Sequence, residues 1–169
     1  MQSAEFLSLN EPSRTLGEIR SDACNQILLM MAVVAVFGVM VIGARIVEQG
    51  FAPIMAVHIS ALFTLIYVIL RRHRLSFTVR ATTVTAIPFI IGLGSVLASG
   101  RLSASLMFFV ASIVIAGCFF GRRVAFCLIG AGLASLVSVY AGFRTGMLTP
   151  QFSLLYDLSF VTWLSIFAS

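Results

Sequence analysis

Arg71-Arg72-His73-Arg74-Leu75-Ser76-Phe77-Thr78-Val79-Arg80 is the densest run of positive charge in a chain whose 11 basic residues are all arginine. Long apolar runs flank it on both sides. A guanidinium group does not lose its proton, so this stretch cannot rest in hydrocarbon and must mark a loop at a membrane surface. Arginine-rich short loops are retained on the cytoplasmic side, which sets the direction of every neighbouring segment.

Working outward from that loop, the composition agrees. The chain has 169 residues, 60% hydrophobic and 10% charged, with a mean hydropathy of +1.07. A soluble domain is about half apolar and about a quarter charged. The apolar residues fall in runs of roughly 20, the length of helix that crosses about 30 Å of hydrocarbon. We therefore expect an all-α polytopic membrane protein, a bundle of six transmembrane helices with both termini cytoplasmic. Residues 1–26 read as a cytoplasmic segment and 27–169 as the transmembrane domain. The spans are expected at about 27–47, 53–70, 79–99, 102–120, 124–142 and 154–169, the last short enough to suggest truncation.

Counting arginines supports this orientation. Six spans place Arg14, Arg20, Arg71, Arg72, Arg74, Arg80, Arg122 and Arg123 inside, and Arg45, Arg101 and Arg144 outside. The net charge of +5 does not imply nucleic acid, because these arginines sit beside spans, where orientation and anionic headgroups account for them. Cys24, Cys118 and Cys127 have neither metal-site spacing nor an even count for a disulfide framework.

In chain order, Thr15 and Glu18 have the spacing of a capping box, opening a short amphipathic helix before the first span. Gly50 to Pro53 forms a turn, with Pro53 placed for the first turn of the next helix. Pro88 interrupts the third span, with Gly92 and Gly94 after it. Proline frees the carbonyl four residues back, here that of Val84, so this region is either a static kink or a hinge. Gly130, Ala134, Ser138 and Gly142 recur at four-residue steps in the fifth span. Such a stripe lets membrane helices approach closely, as a seam within the domain or as a dimer interface.

The outer ends of the spans gather Arg45, Glu48, His58, Ser99, Arg101, Tyr140, Arg144, Tyr156 and Asp157. They read either as ordinary interfacial residues or as a shallow pocket in which Arg45, Arg101 or Arg144 meets an anionic or polar ligand. His58 reads first as a packing residue with a hydrogen bond, and otherwise as a group that switches protonation or binds haem or metal. No nucleotide-binding, zinc-protease or nucleophile-elbow motif is present, and no span carries a carboxylate at depth. We expect no catalytic, cofactor-binding or metal residues within this chain.

The basic loop ending in Leu75-Ser76-Phe77-Thr78-Val79-Arg80 precedes the turn Gly100-Arg101-Leu102. Gly121-Arg122-Arg123 opens the next helix, and Tyr156-Asp157 leads to Trp163. This pattern resembles the N-terminal multi-span sensor regions of bacterial histidine kinases and diguanylate cyclases. The resemblance implies an input domain that passes a small-molecule signal through its last helix to a cytoplasmic output module, and a homodimer within membrane lipid. A small multi-span transporter, or a structural subunit of a membrane complex, is the alternative.

Overall fold

A capping box opens the described chain. The Thr15 N–H donates to Glu18 Oε2 at 2.9 Å, and the Glu18 N–H donates to Thr15 Oγ1 at 3.4 Å. The two residues thereby cap the helix start reciprocally, and the Glu18 N–H also donates to the Thr15 carbonyl at 3.0 Å. The computed structural model describes residues 15–99 and 103–148, with backbone alone for 45, 48, 49, 99, 103 and 104. Among these residues the chain forms α1 (Leu16–Gln49), α2 (Pro53–Leu70), α3 (Phe77–Ser99), α4 (Ser103–Phe120) and α5 (Arg122–Arg144).

Helix α1 corrects one expectation. The helix expected within 1–26 is not separate from the first span: α1 is a single helix of 34 residues. No proline falls within it, and extending a nucleated helix is cheap, so nothing divides it. At 1.5 Å per residue α1 is about 51 Å long, roughly 20 Å more than the hydrocarbon of a bilayer. The turns are set by glycine where the backbone needs positive φ, with Gly50 at 80° after α1 and Gly121 at 85° before α5.

Leu16–Ala44, Pro53–Leu70, Phe77–Ala98 and Arg122–Arg144 are each long and apolar enough to cross a membrane, and Ser105–Phe120 is a shorter apolar helix. Large apolar side chains point outward along them, including Met30, Phe37 and Met40 on α1, Phe63 on α2, and Phe126, Leu133 and Val137 on α5. Helices apolar all round, with this much hydrocarbon on the outside, belong in lipid. The chain is an α-helical membrane protein. The sixth expected span, 154–169, lies outside the described residues.

Helix α3 is the centre, packing against α1, α2, α4 and α5. Successive helices run antiparallel. Near the α3 N-terminus, Ala81, Val84 and Ile87 pack with Cys24 and Leu28 of α1, Leu65 and Val68 of α2 and Phe119 of α4. Near its other end, Val96 clusters with Phe109 of α4 and Val139 of α5, and the Phe89 and Phe109 rings meet edge to face at 5.1 Å.

The closest helix approach is between α3 and α4. Ala81, Thr85 and Gly92 face Ser105, Ser112 and Ala116, all of them small or short side chains and all buried. A Cβ built on Gly92 would lie 3.2 Å from the Ser105 carbonyl oxygen and 3.2 Å from Phe108 Cβ. Lipid gives no hydrophobic drive to pair helices, so dispersion at close range carries the contact, and small residues permit it. The stripe on α5 behaves differently. Gly130, Ala134 and Ser138 are exposed among the described residues, and Gly142 packs on Leu148 of the following turn. Helix α5 instead turns Gly132 and Val139 inward, with Phe89 and Phe109 seated against Gly132. At about 100° per residue, Gly132 faces the side of α5 opposite Gly130 and Ala134.

Candidate functional site

The antiparallel order gathers polar groups at the two ends of the bundle. One end carries the C-terminus of α1, the N-terminus of α2 and the C-terminus of α5. Arg45 and Glu48 lie in the last turns of α1, where only backbone is described, and Arg101 and Asp157 lie outside the described residues. His58 is half-buried in the second turn of α2, and its Nδ1–H donates to the Ile54 carbonyl of the same helix at 2.9 Å. That bond occupies Nδ1 within α2 itself. Tyr140 and Arg144 are exposed one turn apart on α5, with Arg144 Nη1 donating to the Tyr140 hydroxyl at 3.4 Å. Of the expected outer set, this pair alone is joined among the described residues.

The three candidate hinge residues occupy packed positions. Pro88 is buried within the continuous helix α3, and Gly92 meets α4 as described above. A Cβ on Gly94 would fall 2.5 Å from Ile54 Cδ1, so this glycine makes room for α2.

The opposite end holds an organised polar structure that the sequence did not reveal. Arg80, in the first turn of α3, is buried to 8% exposure. It donates from Nη1 to Asn25 Oδ1 and from Nη2 to Ser21 Oγ at 3.1 Å, both on α1, while its buried Nε has no hydrogen-bond partner. Ser21 and Asn25 are four residues apart and so share one face of α1, where Cys24 and Leu28 are also buried. Arg20, the residue before Ser21, donates from Nη2 to the Phe119 carbonyl at 2.5 Å and the Cys118 carbonyl at 3.2 Å. Those carbonyls close α4 and lack intrahelical donors, and the positive group also suits the negative end of the helix dipole. The Arg20 guanidinium further lies 6.0 Å from the Phe77 ring centroid, and Phe77 meets Phe119 edge to face at 5.8 Å. The extension of α1 is thereby fastened to α3 and α4 together. A signal for part of this was present in the sequence: Ser21 and Asn25 at i, i+4 spacing, and Arg80 displaced from the rest of its cluster into a helix.

Among the described residues, no three His, Cys, Asp or Glu side chains are grouped as a metal site requires. The chemistry on offer at both ends is recognition by cations and hydrogen-bond donors, carried on apolar helices.

That combination, a polar-ended bundle of apolar helices, agrees with the comparison of this sequence with known families. The model of the MASE11 family matches residues 18–168. The chain belongs to the MASE11 family. This is a family of membrane-associated sensory domains. No curated protein and no solved structure matches the chain. The matched range of the MASE11 domain begins at Glu18, within the capping box, and takes in the first turns of α1, which carry Arg20, Ser21 and Asn25.

Proposed function

We propose that this MASE11 domain is the sensory input of a bacterial signal-transduction protein whose output is a histidine kinase or a diguanylate cyclase. In this reading six helices cross the inner membrane, with both termini and the arginine-rich end in the cytoplasm. The signal is a small molecule met at the outer end, in a pocket formed by Arg45, Glu48, His58, Arg101, Tyr140, Arg144 and Asp157. The last helix relays it to the output module, and the domain works as a homodimer. Family membership over residues 18–168 is the observation that carries the reading.

The packing supplies a physical route. Helix α3 touches all four other described helices and reaches from Arg80 at the basic end to the Gly92–Gly94 region at the other. Pro88 lies between, where the helix lacks one backbone hydrogen bond and bends at lower cost. A ligand that favours one packing of α3 over another by a few kcal/mol shifts the population of the whole bundle.

The test is to read the gene beyond Ser169 and to assay its product. A kinase or cyclase module in frame, with an activity that changes when Arg144 is replaced by Gln, is the expected result. A stop codon directly after Ser169 overturns the reading.

A further inference from the structure

Two arginine clusters that are distant in sequence meet at one end of the bundle. Arg71, Arg72 and Arg74 lie in the α2–α3 loop, and Arg122 and Arg123 open α5, all exposed. Phe77 stands three residues after Arg74, and Phe119 three residues before Arg122. The edge-to-face contact of these two rings therefore draws the loop and the turn to the same rim. Arg20 and Arg80 are committed to acceptors within the bundle, whereas the five rim guanidinium groups face outward, with Arg72 Nε also donating to His73 Nε2 at 3.3 Å.

The field at this rim is strongly positive. Seven arginines (20, 71, 72, 74, 80, 122 and 123) share this end with two described carboxylates, Glu18 and Asp22, and Glu18 is held in the capping box. The first-turn N–H groups of α5 add to the field, because the N-cap Gly121 provides no side-chain acceptor. Just behind the rim the bundle presents apolar side chains outward, with Leu70 and Phe126 exposed beside the two clusters. A cationic rim directly adjoining a hydrocarbon-facing surface matches the arrangement of a phospholipid, with phosphate above acyl chain.

We propose that the composite rim of Arg71, Arg72, Arg74, Arg122 and Arg123 binds the phosphate headgroups of anionic lipids, which clamp the α2–α3 loop to the α4–α5 turn. The occupant is lipid rather than a soluble anion, because the cations line the border of the apolar surface. This inference goes beyond the sensory reading and does not depend on any output module.

The experiment is thermal unfolding of the detergent-solubilised full chain, titrated with dioleoylphosphatidylglycerol or dioleoylphosphatidylcholine. Phosphatidylglycerol is expected to raise the midpoint saturably and phosphatidylcholine to leave it unchanged. Replacing Arg122 and Arg123 by Gln removes two phosphate-facing charges, so half-saturation is expected at about 30-fold higher phosphatidylglycerol. The same pair replaced by Lys keeps the charge and should stay within about threefold of the wild type, since a lysine binds phosphate as a point charge. Arg71, Arg72 and Arg74 together replaced by Gln should also raise the half-saturation, showing that both clusters act at one site. In lipid-free detergent all variants should unfold with the wild type, because the side chains are exposed. Equal stabilisation by the two lipids, or Gln variants that titrate like the wild type, overturns the proposal. Equal stabilisation by 10 mM inorganic phosphate without lipid overturns the choice of lipid as the occupant.

Discussion

Ser112 of α4 donates a hydrogen bond from Oγ to the backbone carbonyl of Thr85 in α3, at 2.7 Å and fully buried. The bond lands three residues before Pro88, beside the carbonyl of Val84 that the proline leaves without its helical donor. It pins α4 to the segment of α3 whose own hydrogen-bond ladder is weakest. Ser112→Ala is expected to destabilise the bundle by about 0.6–1 kcal/mol, the range of interhelical hydrogen bonds in membranes. Ser112→Leu adds bulk where the helices are closest and should cost about 1–3 kcal/mol. Thermal unfolding in a single detergent measures both, and an unchanged midpoint for Ser112→Leu would show that α3 and α4 are not in contact there.

The glycines give an ordered series. Gly92→Ala should be the most costly, about 1–3 kcal/mol, because its Cβ would press at 3.2 Å on a backbone carbonyl that cannot move aside. Gly94→Ala should cost less, although its hypothetical contact is shorter at 2.5 Å, since the obstacle is the end of the flexible Ile54 side chain. Gly130→Ala meets nothing within 4 Å and should lie within about 0.5 kcal/mol of the wild type. A reversal of the order between Gly92 and Gly130 would contradict the placement of the close seam between α3 and α4.

Arg80 and Asn25 should be energetically coupled. Asn25→Ala takes an acceptor from a buried guanidinium that already has one unpaired nitrogen, and a loss of about 1.5–3 kcal/mol is expected. Arg80→Met removes the charge together with its need for acceptors and should cost less than Asn25→Ala. In a double-mutant cycle, Asn25→Ala in the Arg80→Met background should be nearly neutral. Simple additivity would show that the two side chains act independently.

Topology has a direct readout. In a background lacking Cys24, Cys118 and Cys127, single cysteines at Arg74 and Arg122 should react with an impermeant maleimide only in inverted vesicles. A cysteine at Arg144 should react only in intact cells. The arrangement of α2 to α5 places positions 74 and 122 at one end of the bundle and 144 at the other. Labelling of 74 and 144 from the same side would refute that arrangement.

The sequence by itself determined that this chain is an apolar helical membrane protein, and it located the turns between helices. Those properties depend on local quantities. Hydrocarbon demands internally bonded backbone, so runs of about 20 apolar residues become helices. Pro53 and the positive-φ Gly50 and Gly121 mark turns wherever the helices pack. Thr15 and Glu18 cap a helix start through contacts three residues apart. The faces by which helices meet are not local. In lipid an inward and an outward apolar residue look alike, so the stripe at Gly130, Ala134 and Ser138 carried a packing signal, yet no described helix lies on it. The closest contact fell instead on Ser105, Ser112 and Ala116 of α4, whose spacing shows only once α3 is beside them. The joining of Arg80 to Asn25, and of Arg20 to Phe119, was likewise decided by tertiary structure. Their separations of 55 and 99 residues leave no periodicity to read, and only the antiparallel return of the helices brings each arginine to its acceptor.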